Sequence, residues 1–246
     1  MSVKILLISF FLLILVVAIS RKWILRLFCL WYISLKYGRY SHEFLIYFKN
    51  NNLISPYIAC LKDQITSHFL VFNKNIKNVD EFHTDTAIDF EEIPFMVNAK
   101  NLIQRKGIPD CLSAATIGEL KLQVIGYNEF IENSKMKSMY FLVNDHFVMG
   151  EFLFSDLRHT NSDTLIAILS SKYLNGNPIG KEFFYIKDKE GNQLNFENNG
   201  FSISIKYLFR GDQTTNMMIA GSLKSGTNFT AKNQILLKNE ELLDRL

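Results

Sequence analysis

The stretch that most constrains this chain is the apolar run from Ile5 to Ser20, in which only Ser9 and Ser20 carry polar side chains. Such a run partitions into lipid or a translocon. As a helix it reaches about 24 Å, against a hydrocarbon core of about 30 Å. Val3 and a snorkelling Lys4 extend it, so the run predicts a single-pass transmembrane anchor over residues 1–22. The competing reading is a cleaved signal peptide, with Lys4 as its basic start and Ala18-Ile19-Ser20 as its cleavage site. No polar segment separates the run from that site, and Arg21 and Lys22 would open the mature chain, so the uncleaved anchor is preferred.

Charge is distributed unevenly around this run. Residues 1–42 hold no Asp or Glu but six basic side chains: Lys4, Arg21, Lys22, Arg26, Lys36 and Arg39. The whole chain is +3, which leaves the remainder at −3 and argues against a nucleic-acid partner. Five of the six bases follow the run, so the positive-inside bias places the bulk of the chain in the cytoplasm, with the exported side as the alternative. Residues 23–37 interleave Trp23, Trp31 and Tyr32 with Arg26 and Lys36, a composition suited to the headgroup layer. Arg21, Lys22, Trp23, Arg26, Trp31, Lys36 and Arg39 are thus the candidate membrane-binding residues, and a lipid bilayer is the first expected partner. The alternative is an ordinary core helix whose basic side chains reach out to solvent.

The rest reads as a mixed α+β chain. A helix is expected over 41–50. Another is expected to begin at Ser55 and Pro56 and to run to Phe72 through Ile58, Leu61, Ile65 and Phe69, completing a helical membrane-proximal segment over 23–72. Residues 73–97 lose that periodicity and turn polar and acidic, which predicts a linker. An α+β domain should then fill 98–246. Asn98 caps a helix that Gly107 and Pro109 end, and strands follow at 121–127, 138–144 and 147–154, with a tight turn at Asn144-Asp145-His146. A second helix ends at Asn175-Gly176, and strands at 182–187 and 193–197 precede an Asn199-Gly200 hairpin into 201–209. Alternation from Phe201 to Phe209 predicts one buried and one largely solvated face. A short strand near 217–223 and an amphipathic closing helix complete the expectation. Two αβββ units should therefore share one antiparallel sheet with helices on one face. The helix-Gly-x-Pro-strand opening at Gly107-Ile108-Pro109 resembles small envelope lipoproteins of the SmpA/OmlA type over about a quarter of the chain, without their lipidated cysteine. That is too short and too common a pattern to assign a family.

Candidate chemistry is sparse. Cys29, Cys60 and Cys111 are odd in number and widely spaced, which reads as free thiols and not as a disulfide framework. Cys111, with His146 and His159 downstream, is the one arrangement that could supply a thiolate and a base, against a buried structural cysteine and two loop histidines. His83, Asp85 and Asp89 head an acidic cluster that could hold a divalent ion, against a solvated linker. Gly118, Gly126 and Gly150 are isolated and form no phosphate loop, so no cofactor is expected. The leading expectation is a membrane-anchored, non-enzymatic binding protein with another protein as its second partner. The alternatives are a membrane-bound hydrolase using Cys111 or the acidic cluster, and an exported envelope-assembly or immunity-type protein.

Overall fold

A computed structural model describes residues 10, 21, 23–61, 65–69, 80–131, 134–158, 160–179 and 182–210. The apolar run lies outside these residues except for Phe10, as do Lys22, His159 and the expected elements after residue 210. No helix among the described residues is long and apolar enough to cross a membrane. The chain divides into two compact units, 1–55 and 56–246.

In the first unit, helix α1 covers 23–37 and α2 covers His42–Asn50. Gly38 takes φ +91° after α1, a conformation that costs glycine little. Ser41 then caps α2 by accepting from the Phe44 amide. The Tyr47 hydroxyl donates to the Arg26 carbonyl at 3.3 Å, tying α2 to α1.

The second unit is built on one eight-stranded sheet. Its strands are β1 (Asp80–His83), β2 (Cys111–Ile117), β3 (Leu120–Ile131), β4 (Ser134–Val143), β5 (His146–Phe154), β6 (Phe183–Lys187), β7 (Gln193–Asn198) and β8 (Ile203–Leu208). The order is β1-β6-β7-β8-β5-β4-β3-β2, antiparallel at every pairing but β1–β6. Among the described residues, three helices accompany it: α3 (Ile65–Phe69), α4 (Ala99–Lys106) and α5 (Ser162–Tyr173). Asn98 caps α4 and Gly107 ends it, and Asn161 caps α5. Asn144 and Asp145 both take positive φ, as a two-residue turn between β4 and β5 requires. The two halves join where β5 pairs with β8, which makes the sheet continuous.

Five expectations are corrected. Residues 80–97 are no linker: β1 pairs in parallel with β6, and Ile88, Phe90 and Ile93 are buried. Asp188 fixes this segment by accepting from the Ile88 amide at 3.0 Å, while its other oxygen accepts from the Asn192 amide. Residues 56–61 are not helical, because Ile58 bridges Cys111 in parallel and the Leu112 amide donates to the Ile58 carbonyl. Helices cover both faces of the sheet. Phe69 of α3 meets Phe141 on one face, whereas Lys106 of α4 lies over Tyr127 on the other. The loop after β7 spans 199–202 instead of two residues, closed by the Asn199 side chain accepting from the Phe201 and Ser202 amides. Finally, β8 is buried on both faces, with Ser204 and Leu208 as enclosed as Ile203 and Ile205.

Two glycines let the faces close. On one face, a Cβ at Gly126 would lie 2.5 Å from the Cys111 sulfur and 2.9 Å from that of Cys60. On the other, a Cβ at Gly150 would lie 2.2 Å from the Phe90 ring. Phe90 fills that space from a turn in which Glu91 and Glu92 both take left-handed φ, and it packs against Tyr140, Phe147, Phe152 and Tyr207. Left-handed non-glycine residues cost about 1–2 kcal/mol each, so this plug is held against local strain.

Candidate functional site

The candidates read from the sequence are dispersed. Cys111 opens β2 and is bonded to Cys60, with Cα atoms 4.9 Å apart, so it offers no thiolate. The expectation of free thiols is thereby corrected for two of the three cysteines, while Cys29 remains free and exposed. Pairing went unseen because the partners lie 51 residues apart and share no motif. Closing a loop of that length stabilises the fold by about 4 kcal/mol in the chain-entropy account. His146 stands at the start of β5, with Nδ1 2.9 Å from the Asn144 carbonyl, four ladder steps from Cys111 along the register. His83 and Asp85 are exposed, and Asp85 pairs with Lys189 at 3.1 Å. Asp89 reaches Lys172 at 3.6 Å instead of a metal-type cluster. Among the described residues, no group of three His, Cys, Asp or Glu side chains could hold a metal ion.

What the fold does assemble is a buried carboxylate. Glu151 is 1% exposed in the middle of β5. On its face of the sheet, an apolar half spanning β2 to β5 meets a polar half carrying Gln193, Asn195 and Glu197 of β7 and Ser204 and Lys206 of β8. Glu151 sits at that seam. The Ser204 hydroxyl donates to it at 2.6 Å, Lys206 Nζ stands at 3.8 Å, and His68 Nδ1 of α3 at 3.2 Å. The His68 ring also stacks on Phe141. Burial alone would raise the Glu151 carboxyl, but His68, the Lys206 charge and Ser204 outweigh it and hold the group below the usual carboxylate value. Ser204 gives its proton to the carboxylate and not to the histidine, which is not the order a serine nucleophile needs. Chemically the cluster is a clamp, tying α3 to β5 through the His68–Glu151 contact and β5 to β8 through Ser204 and Lys206. Sequence reasoning missed it, although a lone Glu inside the apolar run 147–154 was the available signal.

A second acid–base group lies on the opposite face. Lys106 Nζ bridges Glu91 at 2.8 Å and Glu129 at 3.0 Å, and Tyr140 donates to Glu91. Burial pushes the Tyr140 phenol far up, and the neighbouring Glu91 carboxylate pushes it further, so it stays a proton donor at any physiological pH. Ser138 donates to Glu129 at 2.9 Å. These groups spend their hydrogen-bonding capacity on one another. In comparisons with known proteins, the chain matches no protein family, no curated protein and no solved structure.

Proposed function

We propose that this chain is a membrane-tethered, non-enzymatic binding protein whose α+β unit engages another protein or a small ligand next to the bilayer. The observation that carries the reading is α1. Trp23, Leu27, Phe28, Trp31 and Leu35 are each more than half exposed, and at helical spacing they form one broad apolar stripe along the helix. An exposed apolar stripe of that breadth is stable where water is partly excluded. Arg26 stands 5.9 Å from the Trp23 ring and Lys36 4.9 Å from that of Tyr37, the cation-and-aromatic pairing of a headgroup layer. The apolar run upstream then supplies a span. A binding role is supported by the way Cys111, Ser204, Glu151, Lys106 and Tyr140 are each engaged with a neighbour.

The Cys60–Cys111 bridge favours an oxidising compartment, and so the exported side over the cytoplasmic side that the basic flank suggests. A bridge is maintained chemically, whereas large domains translocate despite flanking charge. On this reading the α+β unit lies outside the cytoplasm, which brings the envelope-assembly or immunity-type alternative forward.

A chain beginning at Ser20 tests the headgroup role of α1 without the apolar run. Its five bases supply a few kcal/mol in total at about 1 kcal/mol each near an anionic surface. It should sediment with anionic vesicles, release partly in high salt and bind neutral vesicles weakly. Arg26→Glu with Lys36→Glu should weaken it most. Equal binding to both vesicle types would remove the electrostatic component, and binding to neither would contradict the reading.

A further inference from the structure

The two ends of the sheet differ in chemistry. At one end lie the turns after β2, β4 and β6, where Glu119, Asn144, Asp145, Lys189 and Glu190 are exposed. At the other end, β3, β5 and β7 finish and β4, β6 and β8 begin. There the exposed side chains include Phe130 at 74%, Phe201 at 88% and Ile108 at 77%. Ile108 is placed at this end by the Asp110 amide, which donates to the Gly126 carbonyl, and by Asp110 itself, which accepts from the Asn128 amide at 2.7 Å. Phe130 is the last residue but one of β3 and Phe201 tips the β7–β8 loop, with β4 and β5 between their strands. Three strand spacings separate them by about 14 Å. Side chains spread that widely on separate loops suit a flat apolar layer better than a pocket for one ligand.

The path of the chain says which layer. Residues 58–61 run parallel to the start of β2: Ile58 bridges Cys111, and the Leu61 amide donates to Ser113 Oγ. Since β2 starts from the apolar end, the chain enters the unit at that end, and the sequence that precedes it holds the apolar run and α1. Charges beside the apolar tips are mixed, with Lys135 opposite Phe130 and Glu129 and Glu182 nearby in the ladder. Attraction there is therefore apolar and little screened by salt.

We propose that this end of the sheet rests in the interfacial layer of the bilayer, with Ile108, Phe130 and Phe201 inserted among the headgroups. The proposal rests on the membrane-tether reading and adds the orientation of the α+β unit. The test uses the full chain carrying Cys29→Ser, with the native bridge kept, reconstituted into phosphatidylcholine vesicles. A nitrobenzoxadiazole probe is attached at Phe130→Cys, at Phe201→Cys, or at Glu119→Cys on the opposite end. All three positions are exposed, so the fold tolerates the label. Emission should shift to the blue at 130 and 201 and be quenched by headgroup spin-labelled lipid, unchanged in high salt, with neither effect at 119. A chain that floats with the vesicles while 130 and 201 report water overturns the orientation and leaves the tether standing. A chain that does not float overturns the tether reading and the proposal with it. A blue shift that lipid fails to quench means that a protein surface covers this end, which also overturns the proposal, as does equal lipid quenching at 119.

Discussion

Gly150→Ala is expected to destabilise the α+β unit by about 3 kcal/mol, the upper part of the usual overpacking range. The new methyl group would stand 2.2–2.6 Å from three atoms of the Phe90 ring. That ring is fully buried among four other aromatic rings and cannot swing away. Phe90→Ala alone should cost about 3–5 kcal/mol, because it empties the same space. The informative variant is the pair: with the ring gone, the Gly150→Ala methyl sits in the void, and the double substitution should cost little more than Phe90→Ala alone. Hydrogen exchange of β4 and β5 amides in the full chain reads the difference. Additive costs would mean that Phe90 does not occupy the space over Gly150.

Glu151→Ala should cost about 3–5 kcal/mol, since it leaves Lys206 and His68 beside an empty, dry position. Glu151→Gln should cost less, because its amide oxygen still accepts from Ser204. The pH dependence has a definite sign. The folded carboxyl lies below its unfolded value, so its contribution is complete above an unfolded pKa of about 4.3 and fades as pH falls through the folded value. Lys206 and His68 are the charged or titratable groups against it, and Glu197 competes for Lys206 at 3.9 Å. Acid titration of unfolding should show a steeper loss of stability in the parent chain than in Glu151→Gln. Parallel curves would remove Glu151 from the charge balance of the fold.

Much of this architecture was legible from local rules. Asn98 with Gly107, the Asn144-Asp145 turn and the helix before Asn175-Gly176 announce themselves because caps and tight turns depend on a few adjacent residues. What stayed hidden depends on distant partners. Asp80–His83 looks like acidic linker because an edge strand half exposed to water has no apolar pattern to show. Ser55-Pro56 marks either a helix start or a turn into extended chain, and only Cys111 and Ser113 across the edge decide for the second. Glu151 reads as a stray charge in an apolar strand until α3 and β8 bring His68, Ser204 and Lys206 to it. The disulfide follows the same logic, with Gly126 shaped to admit two sulfurs that the sequence keeps far apart.

A domain held at a membrane on its oxidising side, as proposed above, is tested on both counts by one fractionation experiment. Membranes from cells expressing the full chain are washed with alkaline carbonate, and the pellet is alkylated before and after reduction, with mass read for each step. The chain is expected to stay in the pellet with one alkylatable thiol, Cys29, before reduction and three afterwards. A chain released by carbonate, or one with all three thiols open before reduction, would contradict it.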